Sequence, residues 1–171
     1  MSGVQQGEFV AARFGPLVRA ARLLGCPPAD AEDAAQDTLI RCLAAWSRVA
    51  AADDPDAYAY RVLINGLARR GRRRWRAEVP WASPPETAPG AGPEDAVVVR
   101  AAVTAALDRL GTAHRQVVVL RFFADLSERR TAAVLGLAEG TVKSRTARAL
   151  ARLADDPTLA DLLSRPEEDR R

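Results

Sequence analysis

The sequence predicts an all-α protein built as two small helical domains joined by a flexible linker. Three observations carry this. Apolar residues recur at three- and four-residue spacing in two blocks, and neither block shows a strand-like alternation. Between the blocks lies a run with Pro80, Pro84, Pro85, Pro89, Pro93, Gly90 and Gly92. Proline fixes φ and removes a backbone donor, so neither a helix nor a central strand is expected across that run. Charge divides the chain in the same way. Residues 8–76 carry 12 basic and 8 acidic side chains, and residues 77–97 carry 4 acidic and no basic ones. Residues 98–153 carry 10 basic and 4 acidic side chains, and residues 154–171 carry 3 basic and 6 acidic. The expected organisation is a first domain at 8–76, a linker at 77–97, a second domain at 98–153 and an acidic tail at 154–171. A structureless run of this length is unusual inside one compact domain. Lobes this small bury only about 60% of their unfolded surface and would gain from a partner.

Each element has a local reason. In the first block, Phe9, Val10, Phe14, Leu17, Val18, Ala21 and Leu24 form a helical stripe that Gly25, Pro27 and Pro28 end. A second helix opens at Pro28. Its early acids (Asp30, Glu32, Asp33) and later Arg41 and Arg48 suit the helix dipole, and Leu39, Ile40, Leu43 and Trp46 give it an expected apolar face. Asp53-Asp54-Pro55 marks a turn with Asp54 as N-cap, and a third helix follows with Tyr58, Val62, Leu63 and Leu67 inward. In the second block, helices are expected near 95–110, 113–124, 127–135 and 139–153. The tail has Leu159, Leu162 and Leu163 at helical spacing, which suits either a short packed helix or a frayed end.

Composition narrows the function. The chain has 171 residues, a net charge of +3, two cysteines and one histidine. No apolar run approaches the roughly 20 residues of a membrane helix, so no membrane insertion is expected. Residues 1–8 are polar and show no secretory pattern, and Cys26 and Cys42 lack metal-type spacing, so a cytoplasmic chain with reduced thiols is expected. His114 stands alone and reads as an exposed residue near a helix start. Catalysis through imidazole or thiolate, and any metal or other cofactor, find no residue set here, and the chain is not expected to be an enzyme.

The most specific motif spans Leu126 to Arg145. Ser127 is a good N-cap, Thr131, Ala132, Val134 and Leu135 are the buried face of a short helix, Gly136 permits a left-handed turn, and Leu137 plugs the angle. The next helix turns Val142, Thr146, Ala149, Leu150 and Leu153 inward. Outward it turns Thr141, Lys143, Ser144, Arg145, Arg148 and Arg152. This is a helix-turn-helix with a basic second helix; the plainer alternative is a helical hairpin with a solvated basic face. A helix fits the major groove, arginine can donate two hydrogen bonds to guanine, and Lys and Ser near a helix start suit phosphate.

The first block carries an acidic helix face, Asp30 to Arg41, and a basic run in which arginines 69, 70, 72, 73, 74 and 76 surround Trp75. Cations neutralise phosphates and aromatics stack on unpaired bases, although a solvated basic helix end looks the same. Taken together, the blocks resemble bacterial RNA polymerase sigma factors of the extracytoplasmic-function type, over about residues 8–153. Asp30-Ala-Glu-Asp with Gln36-Asp37-Thr38 resembles the region-two helix that docks on the polymerase clamp. Asp54-Pro-Asp-Ala-Tyr58 with Arg61 and Asn65 resembles the segment that recognises and opens the minus-ten element. Leu110 to Phe123 and Gly140-Thr-Val-Lys-Ser-Arg145 resemble region four, which reads the minus-thirty-five element. Asp125-Leu-Ser-Glu with Thr131-Ala and Leu135-Gly resembles a subgroup common in actinobacteria. Gly66 and Gly71, where a regular helix is expected, and the small Ala34 and Ala35 depart from the family pattern.

The resemblance implies a promoter-recognition factor that makes and breaks no bond. It implies Asp30, Glu32, Asp33, Gln36, Asp37 and Arg41 as polymerase-docking residues. For minus-ten strand contacts it implies Arg61, Asn65, Arg69, Arg70, Arg72 and Arg73. For minus-thirty-five reading it implies Thr141, Lys143, Ser144, Arg145 and Arg148. The implied partners are core RNA polymerase (the clamp of the largest subunit and the flap of the second), promoter DNA and, as a further candidate, an anti-sigma factor. The alternative kept beside it is a free-standing helix-turn-helix regulator that acts without polymerase.

Overall fold

In a computed structural model, residues 2–76 and 94–164 are described, and all regular structure among them is helical. Of the expected linker at 77–97, residues 77–93 lie outside the described residues, as does the end of the tail at 165–171, whereas 94–97 already belong to a helix. The first lobe holds α1 (Ser2–Leu23), α2 (Pro28–Ala44), α3 (Trp46–Ala50) and α4 (Pro55–Arg76). The second holds α5 (Glu94–Arg109), α6 (Thr112–Val118), a π turn (Val119–Phe123), α7 (Glu128–Leu135), α8 (Glu139–Ala154) and α9 (Pro157–Ser164).

The helix ends follow from the residues there. Gly25, at φ +92°, closes α1. Its N–H donates to the Arg22 carbonyl (3.0 Å) and the Cys26 N–H donates to the Ala21 carbonyl (2.9 Å), which is the Schellman pattern. Asp54 caps α4 as expected, its Oδ1 accepting from the Ala57 N–H at 3.0 Å. Ser127 caps α7 by accepting from the Arg130 N–H at 3.2 Å. Gly136 sits at φ +66° and makes the expected left-handed turn before α8.

The face of α2 differs from the expected one. Ala31, Ala34, Ala35, Thr38, Leu39 and Cys42 are buried. Ile40 is 62% exposed, and Trp46 belongs to the short helix α3. The small alanines turn inward because α2 packs against both α1 and α4, and backbones can approach closely only over small side chains. Trp46 instead closes the edge of the lobe by meeting Phe9 edge-on, with ring centroids 5.4 Å apart. On α8, Leu150 is 43% exposed rather than inward, whereas Val142, Thr146 and Ala149 are buried as expected.

The two lobes do not stand apart. α4 packs on α7, and α1 packs on the π turn. One apolar cluster runs through both, from Leu17, Leu39 and Leu63 in the first lobe to Leu107, Val117, Leu120 and Leu126 in the second. Each lobe is thus the partner that the small size of the other calls for. The tail forms a packed helix: α9 lies on α5 and α8. Asp156 starts it, accepting from the Thr158 N–H (3.0 Å) and from the Arg109 fork at 2.7 and 2.6 Å. That fork and Thr158 hold the Asp156 carboxyl far below its usual range.

Candidate nucleic-acid interface

Apart from Leu150, the described residues of α8 face as their spacing predicts. Val142, Thr146 and Ala149 anchor it on α6 and α7, so the intervening positions face outward. Lys143, Ser144 and Arg148 are exposed, and Thr141 and Arg145 are partly covered. The Ser144 hydroxyl donates to the Thr141 carbonyl at 3.1 Å, so its position on the first turn is set locally. Beneath this face lies His114, half-buried rather than exposed. Its burial, then the charges of Arg152, Arg145 and Arg148, push its pKa down, so the ring stays neutral beside those arginines at neutral pH.

The first-lobe candidates divide between two faces. Arg61, Asn65 and Arg69 are exposed along α4, and the Arg61 guanidinium lies over the Tyr58 ring at 5.5 Å. α4 runs unbroken through Gly66 and Gly71 to Arg76, so Arg72 and Arg73 continue the same helix; their side chains lie outside the described ones. On α2, Glu32, Asp33, Gln36, Asp37 and Arg41 are exposed along one ridge, with Asp30 partly covered at its start.

Sequence reasoning kept strand-contact and docking residues apart, but the fold joins two of them. Arg70 of α4 pairs with Asp37 of α2, and this contact raises the Arg70 pKa. Asp37, Arg41, Arg69 and Arg70 line one groove between α2 and α4, floored by Ala34, Thr38, Leu63 and Leu67. The small residues at 34 and 66 make room for it.

Two arginines that the sequence did not single out carry the contact between lobes. Arg115 of α6 is buried; its Nε donates to the Leu23 carbonyl at the end of α1, and its terminal nitrogen pairs with Asp108 at 2.6 Å. Arg130 of α7 grips Asp54 with Nε and with a second nitrogen at 2.8 Å. Nothing local marks either, since both look like solvated helix positions until the other lobe arrives. The π turn is a second feature without a sequence signal. It leaves Phe122 and Phe123 53% and 51% exposed, and Asp125, at φ 52°, then turns the chain into α7.

Comparison with known proteins fits this layout. A Sigma-70 region 2 model matches residues 10–77, and a Sigma-70, region 4 model matches residues 100–153. The RNA polymerase sigma-E factor of Streptomyces avermitilis is 39% identical over 164 residues, covering 94% of this chain and 89% of that protein. The chain belongs to the sigma-70 family, as an extracytoplasmic-function sigma factor. The sigma-E factor of Streptomyces coelicolor is 38% identical over 161 residues, covering 94% of this chain and 90% of its own. Among solved structures, the sigma factor RpoE in complex with the anti-sigma factor NepR from Bartonella quintana aligns with a TM-score of 0.75 at 25% identity. That alignment covers 91% of this chain and 96% of the other. Relatives that are sigma factors over nearly their full length fit a transcription initiation factor and not a free-standing regulator. No helix among the described residues of this sigma factor is long and apolar enough to cross a membrane.

Proposed function

We propose that this sigma factor docks on the clamp of core RNA polymerase through the α2 ridge of Asp30, Glu32, Asp33, Gln36, Asp37 and Arg41. The second lobe meets the flap, and the chain delivers two cationic surfaces to one promoter. The α8 residues Thr141, Lys143, Ser144, Arg145 and Arg148 read the minus-thirty-five duplex. The α4 residues Arg61, Asn65, Arg69, Arg70, Arg72 and Arg73 hold the non-template strand of the opened minus-ten element. The observation that carries this reading is that the polar face of α8 and the polar edges of α2 and α4, which meet at the Arg70–Asp37 pair, stay in solvent while one apolar cluster runs through both lobes.

The chemistry is binding only. Stacking and phosphate neutralisation on the separated strand, about 1–3 kcal/mol per stacked base, offset the few kcal/mol that each unstacked step costs. No bond is made or broken by the chain, and it works in the cytoplasm without a cofactor. An anti-sigma factor is a further partner, as the neighbour bound to NepR suggests.

The test is transcription from a promoter library with purified core polymerase. Wild-type chain directs promoter-specific initiation. Asp33→Arg with Asp37→Arg abolishes co-elution with polymerase while leaving the fold intact. Arg145→Ala relaxes preference at one duplex position by about 1–3 kcal/mol. Intact co-elution of the double reversal refutes the docking ridge.

A further inference from the structure

The contact between Asp54 and Arg130 joins the lobes through a two-pronged ion pair. Asp54 does two jobs at once. Its Oδ1 accepts the Ala57 N–H at the start of α4, and both its oxygens are held by the Arg130 fork. Arg130 stands in the first turn of α7, the first helix of the helix-turn-helix. In that motif the first helix crosses the DNA backbone, and its N-terminal turn is where phosphate would be met. A guanidinium binds carboxylate and phosphate with the same planar, two-pronged geometry. The Asp54 carboxylate therefore occupies the ligand position that a DNA phosphate would need on Arg130.

The surroundings reinforce this. Asp56 lies 4.0 Å from the same guanidinium and is itself paired with Arg13 of α1 at 2.6 Å. Arg13, Asp56, Arg130 and Asp54 thus form a charge chain across α1, α4 and α7. The chain borders an open cleft between the lobes, lined also by Pro16, Tyr60 and Asp125. Asp54 and Arg130 remain 25% and 39% exposed, so water reaches the pair and it can be exchanged.

We propose that Asp54 and Arg130 form an autoinhibitory latch, in which the free chain holds its helix-turn-helix lobe against the start of α4 with a carboxylate in place of a phosphate. Only the inhibitory role rests on the DNA-reading assignment of that lobe; the latch itself does not. An ion pair this exposed biases the closed state by a few-fold, and the apolar seam supplies the rest. Apparent affinity for duplex scales with the fraction of chains that are open, so loss of the latch raises it by the few-fold that the ion pair contributes.

The decisive variant is Asp54→Asn, because asparagine caps a helix as well as aspartate and leaves the Ala57 bond in place. Full-length wild type, Asp54→Asn and Arg130→Gln are compared by small-angle scattering and by binding to a short random-sequence duplex at low salt. Arg130→Gln removes the latch from the other side without touching the α4 cap. Both variants are expected to enlarge the molecule. Asp54→Asn is expected to bind the duplex about two- to fivefold more tightly. Arg130→Gln gains nothing, because it loses the phosphate contact along with the latch. Unchanged dimensions in both variants overturn the latch. Expansion of Asp54→Asn with unchanged duplex affinity, in a wild type that does bind, overturns the inhibitory role. If no form binds duplex, the DNA-reading assignment fails instead, and the expansion still identifies the latch.

Discussion

Placing a single methyl group at residue 25 measures how strongly the lobes hold each other. Gly25 ends α1 at φ +92°, a conformation that costs an L-residue about 1–2 kcal/mol. A Cβ there would also lie 2.8 Å from one Arg115 nitrogen and 3.3 Å from its central carbon. The guanidinium has to withdraw, and it then loses the Leu23 carbonyl. A charged hydrogen bond of this kind is worth about 1.5–3 kcal/mol. Gly25→Ala is therefore expected to cost about 3 kcal/mol, or roughly 6–12 °C in Tm for a chain of this size. Gly136→Ala is the control. Its φ is also positive, at +66°, but nothing lies within 4 Å of the added Cβ, so only strain of about 1–2 kcal/mol is expected. The assay is urea and thermal unfolding of both variants, each repeated in an Arg115→Ala background. In that background Gly25→Ala should cost no more than the control, giving a coupling energy of about 1.5–3 kcal/mol. Additive costs for Gly25→Ala and Arg115→Ala would refute the clasp.

Other outcomes follow from the same geometry. Burial, opposed weakly by Arg13, pushes the Cys42 thiol up to about 11, so Cys42 should resist a disulfide reagent at pH 8 until the chain unfolds, while half-buried Cys26 reacts first. The Arg130 hydrogen bond holds the Asp54 carboxyl below its ordinary value. The stability this contributes is complete above the unfolded carboxylate pKa of about 4 and is lost as pH falls through the lowered native value. The gap in urea midpoint between wild type and Asp54→Asn should thus be widest near neutrality and close in acid; a gap that widens below pH 4 contradicts it. Arg69→Ala should weaken binding to a single-stranded oligonucleotide and flatten the log K against log salt slope by about 0.7, the signature of one lost phosphate contact.

Local features were legible from residue order because their causes are local. Proline and glycine punctuation placed the C-terminal end of α1 and the start of α2, and Asp54 and Ser127 cap through bonds three residues away. The helix-turn-helix was legible for the same reason, since Gly136 and the periodicity of α8 lie within one stretch. Faces that depend on a neighbour were less legible. A hydrophobicity rule turned Ile40 and Leu150 inward, but α2 is packed on two sides by helices that need its alanines, and near its end α8 is covered only in part by α9.

By itself the sequence determined the helical class, the division into two basic blocks and the helix-turn-helix. Each of these depends on spacing and on the preferences of single residues. Only the tertiary structure decided that the lobes share one apolar cluster, that Arg115 closes the end of α1, that Arg70 answers Asp37 and that Arg130 spends its fork on Asp54. These contacts join residues 33 to 92 positions apart, and a solvated arginine and a pairing one look alike until the fold brings a carboxylate or a carbonyl to them.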